Sequence, residues 1–178
     1  GPPAGRPIVA GLGSVLEPLS QFVDKFLRPL VERMPSYLKD TTQTLKQLEE
    51  VPFNVTKNIL VSFDVEALYT SIPQEATCAT QKEQIQKETW ESIKPISVVI
   101  ECATFVMKDN FFLFEEQLYL QISGIAMGST CASSVANLYM YFFEKKFIYT
   151  EDNPFGKHLK WWRRYIDDVV FIIWRHTH

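Results

Sequence analysis

The spacing of apolar residues along the chain predicts a mixed helix and strand domain. Residues 14–33 carry apolar side chains three and four positions apart, the spacing of an amphipathic helix that turns one face to a core. Apolar periodicity predicts further helices over about residues 40–50, 89–107 and 129–147. The first two helices are interpreted as structural elements.

Two residues set the expected limits of the first helix. Ser14 is expected to cap its start, with Glu17 three residues later as in a capping box. Pro29 is expected to kink or end the helix, because proline lacks the backbone N–H that a helix interior needs.

Short apolar runs predict the strands. Residues 58–65 are apolar nearly throughout, as expected for a strand that is covered on both faces, and they carry Asp64 near their C-terminal end. Residues 111–114 and 117–122 flank Glu115-Glu116, which predicts a hairpin with a polar turn.

A second predicted hairpin pairs roughly residues 159–166 with residues 169–175 and carries Asp167 and Asp168 at or beside its tip. Neighbouring side chains of a regular strand point to opposite faces, so two adjacent carboxylates share a side only at a turn or distortion. A solvated Asp-Asp turn is the usual meaning of such a pair. Asp64 favours a different interpretation, because three carboxylates delivered by strand ends indicate a divalent metal site.

Composition and charge narrow the class of protein. The 178 residues form one domain or a large piece of one, and 46% hydrophobic content argues against disorder. No apolar segment is long enough to cross a membrane. The net charge of −3 argues against a protein that coats nucleic acid, but an enzyme can hold nucleic acid through metal ions and a few placed cations. The cysteines are odd in number and far apart in the sequence, which fits a reduced, intracellular setting. They are Cys78, Cys102 and Cys131.

A glycine-bearing loop precedes the last predicted helix. Gly124 and Gly128 stand four residues apart and permit the close approach of a ligand to the backbone. Ser129 stands where a phosphate-binding P-loop needs lysine, which excludes that motif. Two residues each allow two interpretations. Tyr69 is a core aromatic or a site residue, and Arg6 is a surface cation or a planar guanidinium that binds phosphate oxygens.

Four stretches in this order resemble the motifs of reverse transcriptases. Tyr165-Ile166-Asp167-Asp168 looks like the Tyr-x-Asp-Asp motif, residues 64–73 look like the first catalytic motif, and residues 121–128 look like the motif between them. Together with Gly5-Arg6-Pro7-Ile8-Val9, the residues of these motifs most resemble those of Penelope-like retroelements, a branch related to telomerase. The resemblance spans residues 5–174.

The resemblance implies an α/β (α+β) fold, namely a reverse-transcriptase palm with a small, largely antiparallel sheet backed by helices, plus part of the fingers. The chain would be a single partial domain, with a fingers-side segment over about 1–57 and the palm over about 58–178. A thumb and a GIY-YIG endonuclease are expected in a full-length protein, and neither is visible in this sequence. A nuclear location is implied by the family, although no basic import cluster is visible.

The resemblance also implies an activity, RNA-directed DNA polymerisation. Its substrates would be deoxynucleoside triphosphates, an RNA template and a DNA primer, with no membrane involved. Asp64, Asp167 and Asp168 would be the catalytic triad that binds two Mg²⁺ ions about 3.5–4 Å apart, with Val65 beside them and Mn²⁺ as a possible substitute. Asp64 and Asp167 would be the bridging pair.

Further residues match the family's substrate contacts. Tyr69 matches the steric gate that rejects a 2′-hydroxyl, and Arg6 matches the fingers arginine that contacts the triphosphate. Gln121 and Gly124 would line the nucleotide and template pocket. The backbone N–H groups of the segment after the first carboxylate would bind the same phosphates, and Tyr165 would contact substrate beside the paired carboxylates; the segment is Val65, Glu66 and Ala67.

Two departures and two alternatives remain. Ser133 stands where many family members have proline, and Ser71 where asparagine is common, but neither position is expected to touch the metals. One alternative is a catalytically inactive, truncated or domesticated remnant that acts as an interaction module. The other is a different two-metal phosphoryl enzyme, such as a cyclase, against which Tyr69, Gln121 and the loop over 124–128 argue.

Overall fold

The computed structural model describes residues 8–9, 11, 13–75, 77 and 96–175. Arg6 and the segment over 89–95 lie outside the described residues. The described helices are α1 (Glu17–Val31), α2 (Thr41–Glu50), α3 (Leu68–Ser71), α4 (Ile96–Lys108) and α5 (Ala132–Phe147). The strands are β1 (Asn58–Asp64), β2 (Phe111–Phe114), β3 (Gln117–Leu120), β4 (Leu159–Tyr165) and β5 (Asp168–Trp174).

The chain divides into two compact units, each built from two separate segments. The first unit contains Gly1–Arg28 and Tyr69–Tyr139, and the second contains Pro29–Leu68 and Met140–His178. The expected division into a fingers-side segment over 1–57 and a palm over 58–178 stays a prediction.

The second unit is built on a three-stranded sheet with the order β1-β5-β4. Both neighbouring pairs are antiparallel, so the predicted hairpin over 159–175 is confirmed. The segment after α1 joins the other side of β4, where the Leu38 N–H donates to the Arg164 carbonyl at 3.0 Å. The predicted fold class, helices with a small antiparallel sheet, is therefore confirmed.

Strand β1 differs from its prediction in burial. Asn58 is buried, but Leu60 is 50% exposed and Phe63 is 44% exposed. The prediction that this apolar run is covered on both faces is wrong. The reason is its place in the sheet, because β1 is the outermost of three strands and its apolar side chains remain partly in solvent.

The helix ends are set by local hydrogen bonds. Helix α1 begins at Glu17 rather than at Ser14, and the Glu17 carboxylate accepts the Gly13 N–H at 2.5 Å, so the predicted Ser14 cap is wrong. The helix runs on through Pro29 and ends two residues later. Helix α2 begins as predicted, because the Asp40 side chain caps it by accepting the Gln43 N–H at 2.8 Å.

The first unit contains the predicted hairpin of β2 and β3. Its turn residues, Glu115 and Glu116, have φ angles of 47° and 63°, which is the sign pattern of a type I′ turn. The core of this unit is formed mainly by apolar residues of α1, α4 and α5, among them Val23, Leu27, Val99, Val106, Val135 and Leu138. In the described part of the chain, no helix combines the length and apolar character that a bilayer crossing requires.

Candidate functional site

Asp64 and Asp168 are paired directly across two neighbouring strands. Asp64 ends β1, Asp168 begins β5, and the two are cross-strand partners in the antiparallel register. Directly opposite residues of an antiparallel pair point to the same face, with Cβ atoms about 4.5–5.5 Å apart. Both side chains are exposed. The register therefore brings two of the three predicted carboxylates together, at the end of a sheet and on one face.

Asp167 lies in the turn between β4 and β5. Tyr165 pairs with Asp168, so Ile166 and Asp167 form a two-residue loop. The φ angle of Ile166 is 55°, and the φ angle of Asp167 is not positive. This is the sign pattern of a type II′ hairpin turn. Glycine usually takes the first of these positions, and a β-branched residue there is strained. The chain accepts this strain at the turn that carries the third carboxylate.

The backbone fastens this turn to the end of β1. The Val65 N–H donates to the Asp167 carbonyl at 2.9 Å. This bond corrects one expectation, because a Val65 N–H that is paired with Asp167 is not free to bind a triphosphate. Glu66 is exposed, and Ala67 has a φ of 53° at the start of α3.

A cavity of about 390 Å³ lies beside the carboxylate pair within the second unit. Asp64, Asp168 and Tyr165 contribute to its wall, and Tyr165 is 46% exposed. Its other walls come from β1, β5, α2 and the segment before α2, including Ser62, Val170, Thr44 and Leu38. The cavity has room for a small polar ligand against the two carboxylates.

The donor chemistry of this end of the sheet suits a hard cation. Among the described residues, no three His, Cys, Asp or Glu side chains are grouped closely enough to form a metal site by themselves. Mg²⁺, however, is usually held by one or two carboxylates, with substrate phosphates and water as the remaining ligands. The carboxylates of Asp64 and Asp168, which the strand register pairs, are therefore ligands of the type that this ion takes. The strand register pairs Asp64 with Asp168, and the bridging of two metal ions by Asp64 and Asp167 stays a prediction.

A separate cluster in the first unit holds Tyr69 and Gly124. The Ile125 N–H donates to the Tyr69 carbonyl at 2.7 Å. Gly124 has a φ of 72°, and a Cβ there would lie 2.6 Å from the Tyr69 carbonyl oxygen and 2.7 Å from the Thr70 Cα. Glycine is therefore required at this position both by conformation and by space.

Gln121 and Gln74 hold the same loop. The Gln74 side-chain amide donates to the Gly124 carbonyl at 2.9 Å and to the Gln121 carbonyl at 3.3 Å. The Gln121 side chain donates to Ser123 and accepts from Asn110, both at 2.9 Å. Gln121 thus fixes the loop, and its predicted contact with nucleotide or template stays a prediction.

The prediction missed a buried polar group behind the carboxylate hairpin. Arg164 and Glu144 are both fully buried, and the Arg164 Nε donates to Glu144 Oε1 at 2.9 Å. Glu144 also accepts from the Ser36 hydroxyl at 2.5 Å and from the Trp162 indole at 2.9 Å. The available signal in the sequence was Arg164, a charged residue inside an aromatic strand, and it did not indicate Glu144 as the partner.

Three other groups are perturbed by burial. Desolvation raises the pKa of the Cys131 thiol above its ordinary value, which makes this buried sulfur a poor nucleophile. Burial and the nearby Glu144 charge raise the pKa of Tyr149 to about 12. Burial lowers the pKa of Arg163, whose guanidinium donates to Gln47 at 2.6 Å.

Structural comparison identifies the fold. Telomerase from Candida albicans, solved in complex with a TWJ fragment of telomeric RNA, matches 90% of this chain with a TM-score of 0.62 and 12% identity. Apo telomerase from Candida tropicalis matches 90% with a TM-score of 0.61 and 16% identity. The chain has a telomerase-like fold.

A third telomerase structure gives a similar result. A C-terminally truncated apo telomerase from Candida tropicalis also matches 90% of this chain, with a TM-score of 0.57 and 18% identity. The chain spans about a third of the length of these telomerase chains, between 30% and 34%. No protein-family model matches the sequence, and no curated protein matches it either.

Proposed function

We propose that the chain is part of an RNA-directed DNA polymerase, and that Asp64, Asp167 and Asp168 are its catalytic carboxylates. The observation that carries the proposal is the register of the sheet, which pairs Asp64 with Asp168 beside a cavity and next to the Asp167 turn. The telomerase-like fold supports the same class of enzyme. The four motif resemblances support it from the sequence.

In this proposal the two paired carboxylates hold Mg²⁺, or Mn²⁺ in its place, together with substrate phosphates. The ions, when bound, stabilise charge on the attacking and leaving oxygens of an in-line displacement of pyrophosphate. The Asp64 and Asp168 carboxylates would hold the cations, and the bond from the Val65 N–H to the Asp167 carbonyl holds the third carboxylate's backbone at the end of β1.

Selection of the sugar is assigned to Tyr69 by its match to the family motif. Tyr69 is proposed as the gate that rejects ribonucleotides, because its backbone is held by the glycine loop and its position matches the family motif. The proposed partners are an RNA template, a DNA primer and deoxynucleoside triphosphates. We further propose a Penelope-like retroelement as the source, because the residues of the motifs most resemble those of that group.

Metal binding offers a direct test. Mg²⁺ or Mn²⁺ at ten times its dissociation constant should stabilise the chain by about 1.4 kcal/mol. That corresponds to a rise in Tm of about 3–6 °C for a domain of this size. Asp168→Asn should abolish the rise, whereas Asp152→Asn, which removes an exposed carboxylate outside the cavity, should keep it. Equal shifts in both variants would reject the metal site.

Primer extension tests the polymerase itself. The assay supplies an RNA template, a DNA primer and deoxynucleoside triphosphates, and it compares this chain with a longer version that includes a thumb. Extension that requires Mg²⁺ and disappears in Asp167→Asn is the expected result. Extension that survives Asp167→Asn would remove this residue from the catalytic set.

An interaction module is the second candidate, and one observation favours it. The β2–β3 hairpin exposes large apolar side chains, including Leu113 at 70% and Leu118 at 68%. An apolar surface of this kind often marks a contact with another protein. Such a module needs no metal, so an unchanged Tm with Mg²⁺ and Mn²⁺, together with absent extension, would favour it over the polymerase.

A further inference from the structure

Arg164 is a fully buried cation three residues before Asp167. A guanidinium with no exposed surface is not a contact for phosphates or nucleic acid. Its nearest charge is the equally buried Glu144 carboxylate, which accepts the Arg164 Nε at 2.9 Å. The position of this cation therefore has to be explained by what it holds inside the second unit.

The other end of the same guanidinium reaches the carboxylate turn. The Arg164 Nη1 donates to the Ile166 carbonyl at 2.8 Å. Because Nε and Nη1 lie on one rigid plane, the bond to Glu144 fixes the direction of the bond to the turn. Arg164 thus joins a buried carboxylate to the peptide group that leads into Asp167.

The backbone of Arg164 is also fixed on its outer side. Its N–H donates to the Ser36 carbonyl at 2.6 Å, and its carbonyl accepts the Leu38 N–H at 3.0 Å. The guanidinium is therefore anchored by its own strand as well as by Glu144. This gives the turn a rigid point of attachment.

The turn needs such an attachment because of its conformation. Ile166 holds a φ of 55°, which a β-branched residue adopts only when its surroundings enforce it. Rotation about the N–Cα bond of Ile166 would relieve that strain, and it would move the Ile166 carbonyl and the Asp167 backbone out of their present positions. The hydrogen bond from Arg164 to the Ile166 carbonyl opposes this rotation.

We propose that Arg164, held by Glu144, is the positioning residue of the carboxylate turn. It keeps Ile166 in its strained conformation and so keeps Asp167 and Asp168 aimed for metal binding. The role in metal binding rests on the proposed function, while the role in holding the turn does not. Lysine would preserve the charge but lacks the planar pair of donors that serves both acceptors.

Amide hydrogen exchange by NMR tests the turn without any metal. The reporter is the Val65 amide, which donates to the Asp167 carbonyl. Arg164→Lys should raise its exchange rate about tenfold, as expected for the loss of one charge-assisted hydrogen bond. The matched control is Ser36→Ala, which removes a bond to the same Glu144 carboxylate and leaves the turn untouched. Equal Val65 exchange in the two variants would overturn the proposal.

Mn²⁺ titration followed by electron paramagnetic resonance tests the consequence for the carboxylates. Arg164→Lys should weaken Mn²⁺ binding about tenfold, as residues that orient metal ligands commonly do, and Ser36→Ala should not. Adding Ile166→Gly to Arg164→Lys should restore affinity, because glycine adopts the required φ without enforcement. Restoration would not occur if Arg164 served general stability, and its absence contradicts the proposal.

Two further outcomes are distinguishable. Wild-type chain that binds no Mn²⁺, or binds it independently of Asp168, rejects the proposed metal site but leaves the Val65 exchange test valid. If Arg164→Lys does not fold, Glu144→Gln replaces it, because this change removes the charge that anchors the guanidinium and keeps the side-chain shape. Faster Val65 exchange in Glu144→Gln than in Ser36→Ala supports the proposal, and equal exchange overturns it.

Discussion

Replacing Glu144 with alanine should destabilise the protein more than any exposed change. The carboxylate accepts hydrogen bonds from Arg164, Ser36 and Trp162, at 2.9, 2.5 and 2.9 Å. Arg164 and Ser36 are both fully buried. Glu144→Ala therefore leaves a buried positive charge and two other donors without their shared acceptor.

The size of the effect follows from the burial. Removing one partner of a buried ion pair costs about 3–5 kcal/mol. Natural domains are stable by about 5–15 kcal/mol, so this change removes a large share of the folding free energy. At about 2–4 °C per kcal/mol for a chain of this length, the expected loss in Tm is about 10 °C.

Thermal unfolding followed by circular dichroism is the assay, with Glu50→Ala as the control. Glu50 ends α2 and is exposed, so its removal should change stability by less than about 0.5 kcal/mol. The paired change of Glu144→Leu with Arg164→Met should recover part of the loss, because it removes the unpaired buried charge, whereas the Ser36 hydroxyl and the Trp162 indole still lack their acceptor. Equal Tm values for Glu144→Ala and the Glu50→Ala control would refute this prediction.

Three further predictions concern single side chains. Tyr69→Ala should raise ribonucleotide incorporation about 10–100-fold in primer extension, and unchanged sugar selectivity would remove Tyr69 from the nucleotide pocket. In the native state Cys131 should react with iodoacetamide far more slowly than Cys102, as measured by mass spectrometry of the labelled peptides, since Cys131 is fully buried and its thiol pKa is raised. The phenol of Tyr149 should titrate near pH 12 in the folded protein, as measured by the phenolate absorbance of the wild type minus that of Tyr149→Phe. Because the unfolded phenol has the ordinary pKa of 10.0 and ionises first, the contribution of Tyr149 to the free energy of unfolding should fall as the pH rises from about 10 to about 12. A titration midpoint near pH 10 for Tyr149 in the folded protein would contradict its burial.

Local patterns predicted the elements whose causes are local. The hairpin of β4 and β5 follows from two apolar runs around Asp167 and Asp168, and the structure places its turn one residue earlier, at Ile166-Asp167. Asp40 caps α2 because its side chain reaches an N–H only three residues away. Such features depend on neighbours along the chain and are visible in the sequence.

Features that depend on distant residues were missed or misjudged. Arg164 and Glu144 are 20 residues apart and lie on a strand and a helix, so no periodicity links them. The exposure of Leu60 depends on which strands flank β1, which an apolar run alone does not specify. The pairing of Asp64 with Asp168 is set by strand register, and a shift of one residue would have paired it with another partner.

The outer edge of β1 affects how the isolated chain would behave in solution. In the described sheet β1 pairs only with β5, so its other side presents peptide groups beside half-exposed Leu60 and Phe63. An apolar strand edge of this kind is a template on which a second molecule can add its own strand, which is one route to aggregation. Lysine at position 60 would discourage that self-association, and light scattering at rising protein concentration would measure the gain in solubility.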